Sequence, residues 1–310
     1  MRTLFVVLFT FLCLLAQLSA KTINLIEYGA KADGKTSNTQ IIKNAIEELS
    51  AEGGGVLQFT GGVFLTGPIV LKSNITLDVQ AGATIRFSDD FSEYVPFVEM
   101  RYEGVVMKSF CPMIYAYEQE NIVIKGEGTI DGNGKRWWYA TFTVEGAHKD
   151  DAFKEEIAKY QSMWAKDNAG FKIEEQSDWK RTLNKQFFRP PLMQPYKCKN
   201  FKVQEIKIIN SPFWTINPEF CENVTIQGVE IDNPDAPNTD GVNPSSCRNV
   251  VISDCIIKVG DDCITLKSGR DLQGREYATP CENVTITNCV MLAGHGGVVI
   301  GSEMSGDVRR

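Results

Sequence analysis

The sequence has no dense run of Lys and Arg, and its 310 residues carry a formal net charge of −7. A partner with a phosphate backbone demands a basic face, so nucleic acid is not an expected ligand. Cysteine occurs nine times but never as Cys-x-x-Cys. The ligand spacing of a zinc site is therefore missing, and no metal or other cofactor is expected. Histidine is scarce: only His148 and His295 are present. Beyond residue 20 no apolar run is long enough to cross a bilayer. The 43% hydrophobic content is ordinary for a soluble protein, and the length suffices for one large core or two modest ones.

Residues 1–20 have the layout of a secretory leader. Arg2 gives the positive start, Leu4 to Leu15 the apolar stretch, and Leu18-Ser19-Ala20 the small-residue cleavage site. Cys13 lacks the small residue before it that a lipoprotein signal carries. A secreted or periplasmic location follows, with no membrane attachment after cleavage. Eight cysteines would remain. Export suggests disulfides, but Cys198, Cys221, Cys247 and Cys281 hold equivalent places in a repeat, with Cys255 and Cys289 as a second set. Equivalent places stack, so mostly free, buried thiols are expected.

That repeat is Cys-x-Asn-(Val/Phe)-x-(Ile/Val), centred on Asn200, Asn223, Asn249 and Asn283, with weaker copies at Asn74 and Asn121. A repeat of this length, rich in β-branched residues, predicts an all-β fold: a single right-handed parallel β-helix, or solenoid. Ile41, Ile42, Ala45, Ile46 and Leu49 recur at helical spacing before Gly53-Gly54-Gly55. They predict a helix that caps the N-terminal end, where open strand edges would otherwise pair with other chains. The expected domain is residues 21–310, interrupted at about 139–188 by a charged, aromatic insertion in which 151–167 can form a helix. Gly126-Glu127-Gly128 through Gly134 resembles a nucleotide loop. The Trp137-Trp138 that follows, in place of a helix, makes a turn-rich edge the better reading. The last ten residues, 301–310, look like the lead-in to another coil without a cap. Further coils are expected beyond Arg310, and this chain is expected to be weakly active and to associate through its C-terminal end.

Four residues in the repeat region carry chemistry: Asp240 in Asn238-Thr239-Asp240-Gly241, Asp261 and Asp262 in Gly260-Asp261-Asp262-Cys263, and His295 in Gly294-His295-Gly296. Asp240 and Asp261 are about one coil apart, and coils stack at about 4.8 Å, so these carboxylates should share one face. Clustered carboxylates repel, and at least one should hold its proton more tightly than a free Asp. Each motif alone has a plainer reading: a turn for Asn-x-Asp-Gly, a solvated loop for Gly-Asp-Asp, and calcium for an acidic cluster. Their conjunction with His295 favours acid–base catalysis. Lys267, Arg189 and Arg270 are cations available to an acidic ligand, although a solvated charge is the competing reading for the arginines. Asn238 can hydrogen-bond sugar hydroxyls, and Trp214 either packs in the core or stacks on a sugar.

In this order these residues resemble glycoside hydrolase family 28, the polygalacturonases, and within it the exo-acting bacterial and plant-type branch. The similarity covers Ile23 to Arg310. It includes Gly67-Pro68-Ile69, Gly128-Thr129-Ile130-Asp131-Gly132, Arg189-Pro190-Pro191 and Asn210-Ser211-Pro212-Phe213-Trp214-Thr215, besides the three motifs above. The resemblance implies inverting hydrolysis of α-1,4-galacturonosyl bonds in pectic polysaccharide, with Asp261 as proton donor, Asp240 and Asp262 activating water, and His295 in support. It also implies an Arg-Ile-Lys motif after Gly-His-Gly, which this sequence does not reach, and His in place of Asn217. The alternatives are a calcium-using lyase of the pectate-lyase kind and an inactive pectin-binding relative.

Overall fold

The structure is a computed structural model that describes residues 20–144, 151–169, 187 and 189–310. The expected leader, except Ala20, and His148 lie outside the described residues. Short strands recur with every second side chain buried, as in Gly55–Phe59, Ile75–Val79 and Ala83–Phe87. This alternation is what a pleated strand with one face on a core requires. Successive turns of the chain add these strands to three parallel rows, giving a right-handed parallel β-helix.

The first row runs from Thr22–Asn24 through Lys199–Gln204 and Arg248–Ser253 to Val308–Arg309, and the second from Asp33–Ser37 to Val290–Ala293. In register, Leu57, Leu77, Ile124, Val203, Ile226, Ile252 and Ile286 form one aliphatic column. A third row pairs Ile69–Val70, Ile114–Tyr117 and Met193–Tyr196, then continues through single bridges at Ile216, Val242 and Ile264 to Val298–Ile300. Each repeat Asn takes a positive φ, between 56° and 63°, at the turn into the first row. Asparagine tolerates that conformation. The amides then link coil to coil: Asn223 Nδ2 donates to Asn200 Oδ1 at 2.9 Å, and Asn249 to Asn223 at 3.1 Å.

Helix α1, Thr39–Ala51, buries Ile42, Ala45, Ile46 and Leu49 against the first coils, as a cap should. Helices α2, Lys135–Val144, and α3, Asp151–Asp167, occupy the region where the repeat was expected to break. One expectation is overturned. A helix does follow the glycine-rich stretch, because α2 begins three residues after Gly132. The turn reading survives on other grounds: the amides of Gly128, Gly132 and Gly134 donate to carbonyls of neighbouring coils, and a Cβ at Gly132 would sit 2.6 Å from Asn210 O. The repeat gave no sign of the antiparallel hairpin Val98–Tyr102 and Val105–Ser109, which lies against the third row. Helix α4, Asp271–Tyr277, meets the hairpin, with Gln273 Oε1 accepting from Val106 N. The eight described cysteines are all free, and seven are buried. Among the described residues no helix is long and apolar enough to cross a membrane.

Candidate active site

The turns that leave the second row carry the chemistry. Bridges pair Val242 with Ile216 on one side and Ile264 on the other. This register sets Asp240 level with Asp262 on the next coil, and Gly241 N donates to Asp262 O at 2.9 Å. The expected partner of Asp240 was Asp261; the true step is one residue longer. Close stacking here needs glycine, since a Cβ at Gly241 would lie 2.4 Å from Cys263 O. The glycines beside His295 serve the same purpose. A Cβ at Gly294 would meet Asp261 O at 2.6 Å, and one at Gly296 would meet Asp262 Oδ1 at 3.0 Å.

The carboxyls have unequal surroundings. Asp240 is 3% exposed. Asn243 Nδ2 donates to its Oδ2 at 2.8 Å, and Lys267 Nζ stands 3.8 Å from the same oxygen. Oδ1 is buried and accepts no hydrogen bond from the described residues. Burial, together with Asp261 and Asp262, raises this carboxyl from 3.8 to about 7 against the pull of Lys267 and Asn243. Asp262 is half-buried and is raised by burial and by Asp261. Asp261 is the carboxyl with specific polar company at the surface. His295 Nδ1 is 3.3 Å from its Oδ1, Asn238 Nδ2 is 3.4 Å from its Oδ2, and the imidazole is 74% exposed. A second link joins these coils, as His295 N donates to Asp261 O.

The cations expected to meet a ligand are turned inward. Arg189 is 2% exposed; it donates to Pro212 O, Pro237 O and Asn238 Oδ1. It therefore braces the Asn238 turn, neither solvated nor reaching outward as the sequence suggested. Lys267 is 4% exposed and is held by Glu303 at 2.7 Å and by Gly301 O at 3.1 Å. Its ammonium sits 4.5 Å from the ring centre of Trp214, which is itself buried, so Trp214 packs beneath the site. Arg270 pairs with Glu103 at 2.9 Å. The buried polar support escaped sequence reasoning: Asn243, Glu303 and a chain from Asn217 through Gln194 to Arg101. Asn217, where relatives were expected to carry His, donates to Glu219 Oε1 and Asn243 O. Nothing in the repeat marks these residues, because they differ from coil to coil.

The sequence pattern of glycosyl hydrolases family 28 matches residues 167–309. A probable polygalacturonase of Vitis vinifera is 30% identical over 94% of this chain and 53% of its own length. An exo-poly-alpha-D-galacturonosidase of Dickeya chrysanthemi is 29% identical over 91% of this chain and 48% of its own. Among solved structures, a hyperthermoactive exopolygalacturonase from Thermotoga maritima superposes with a TM-score of 0.79 at 40% identity, covering 94% of this chain and 64% of that one. The chain thus spans about half the length of the curated relatives it matches.

Proposed function

The chain belongs to glycosyl hydrolases family 28, and on that footing we propose that it cleaves α-1,4-galacturonosyl bonds of pectic polysaccharide by inversion, after export through the leader at residues 1–20. One observation carries the reading: three carboxyls on adjacent coils with unequal surroundings, one of them held near neutrality. Asp261 acts as the acid, giving a proton to the glycosidic oxygen as that oxygen leaves the anomeric carbon. Asp240 and Asp262 draw a proton from water as its oxygen bonds the same carbon from the opposite face. Asp240 suits the base role, because a base is most effective when its proton affinity lies close to the working pH. Asp261 suits the acid role, because it is reached from outside and is contacted by His295 and Asn238. Arg189 serves by fixing Asn238, and residues 21–310 act as one catalytic unit with the α2–α3 insertion at its side. No metal ion takes part in these steps.

Assay of reducing ends released from de-esterified polygalacturonate tests this. Asp261→Asn should lower the rate by about a hundred- to ten-thousandfold. Lys267→Ala should also lower the rate, but less. Activity abolished by a chelator, with an ultraviolet-absorbing unsaturated product, would replace this reading with a lyase. Binding of the polymer that persists in Asp261→Asn, with no reducing ends even from the unaltered chain, would make the protein a pectin binder.

A further inference from the structure

Lys267 is a buried cation shared unequally by two carboxyls. Its ammonium is 2.7 Å from Glu303 Oε2 but 3.8 Å from Asp240 Oδ2. The side chains of Lys267, Glu303 and Asp240 are 5%, 8% and 4% exposed, so little solvent screens them. The carbonyl of Gly301 and the ring of Trp214 take up the rest of the ammonium's surroundings. Glu303 is fixed in turn, with Ser302 Oγ 3.1 Å from its Oε1. The other charged groups facing Asp240 are Asp261 and Asp262, and those facing Glu303 are Arg270 and, paired with it, Glu103.

From this geometry we propose that Glu303 is a positioning residue of the reaction: it anchors Lys267 away from full contact with Asp240, so that Lys267 and Asn243 fix Oδ2 without fully neutralising the carboxylate as a base. An ammonium in full contact would make Asp240 too weak a base. With the ammonium absent, the buried carboxyl would stay protonated. The geometry lies between these two extremes, with the ammonium near Asp240 but bonded to Glu303. Asp240 rests near 7, while burial pushes Glu303 up but Lys267 and Arg270 more than offset it and hold it below its ordinary value. The proposal gives Lys267 an internal task in place of a substrate contact. It rests on the reading of Asp240 as a reacting carboxylate, but its core is a statement about proton affinity that can be read without turnover.

The experiment is a carbon-13 titration of aspartate carboxyls in the full 310-residue chain, with the Asp240 signal identified by its loss in Asp240→Asn. In Glu303→Gln the ammonium is released toward Asp240, and the midpoint should fall by about one pH unit. In Lys267→Met it should rise by at least about one unit. Glu303→Asp, which keeps the charge, should return the midpoint toward that of the unaltered chain. An unmoved midpoint in folded Glu303→Gln overturns the proposal. Should that variant not fold, an unmoved or lowered midpoint in Lys267→Met overturns it instead. Where the chain hydrolyses polygalacturonate, the acid limb of kcat should shift with each midpoint while KM stays within about twofold. Absent hydrolysis with the shifts intact would sink the enzymatic reading and spare the charge relay. Hydrolysis without the shifts would do the reverse.

Discussion

Two polar rows run along this solenoid, and they are built on opposite plans. The outer row is the ladder of asparagines, Asn74 to Asn283, in which each amide after that of Asn74 donates to the asparagine on the coil before it. It is exposed and repetitive, and every member has the same backbone conformation. The inner row lies under the carboxyls and never repeats. Gln194 bonds to the backbone of Arg101 and to Asn217, Asn217 reaches Glu219 and Asn243, and Asn243 holds Asp240. The outer row can lose a member and remain wet. The inner row has no water to fall back on, so each lost partner strands a buried charge or amide. Repetition therefore marks what holds coils together, and its interruption marks where chemistry is set up.

The sharpest way to break this contrast is at the buried pair. Arg101 and Glu219 are both fully buried, 3.1 Å apart, with Ser245 and Ser246 also accepting from the guanidinium. Arg101→Met should destabilise the fold by about 3–5 kcal/mol in chemical denaturation, because it leaves Glu219 without its cation. The loss should be smaller at pH 5 than at pH 8, since burial already raises Glu219 to about 7 and an unpaired Glu219 can stay protonated in acid.

A second test uses Asp240 itself. Its folded value near 7 lies above the ordinary 3.8, so the folded chain binds this proton more tightly than the unfolded chain. The resulting stabilisation is complete below about pH 4 and is lost as pH rises through 7, an effect of at most about 4 kcal/mol. Asp240→Asn should flatten the fall in stability across that window. An unchanged slope between pH 4 and 7 would show that Asp240 is an ordinary, solvated carboxylate.

The smallest effect belongs to the outer row. Asn223→Ala should cost about 1 kcal/mol, through its ladder bonds and its φ of 59°. Asn223→Gly should cost less, because glycine accepts that backbone freely. Equal costs for an outer asparagine and for Arg101 would erase the distinction drawn here.

The same contrast explains what could be read from the chain before its structure. The stripe from Ile42 to Leu49, the cysteine positions and the asparagine steps repeat or alternate, and the cap, the free thiols and the coils follow from them. Asp240, Asp261, Asp262 and His295 were legible as residue types in motifs, and they do converge. Their register was not legible, because the Val242–Ile264 step depends on how one turn packs. The inward turn of Arg189 and Lys267 was hidden for a related reason. A charge in a sequence looks the same whether it faces water or a buried carboxyl such as Glu303. The hairpin from Val98 to Ser109 was missed because it belongs to no coil, although it delivers Arg101 to the inner row.

In the proposed mechanism Asp261 acts on one face of a sugar ring while Asp240 and Asp262 act on the other. The most direct measurement is proton NMR of the first product formed from an oligogalacturonate, recorded before the anomers equilibrate. Inversion at an α-linkage predicts that the new reducing end appears first as the β anomer and relaxes to the mixture, with the signal absent in Asp261→Asn. A first product in the α form, or an unsaturated sugar, would contradict the account.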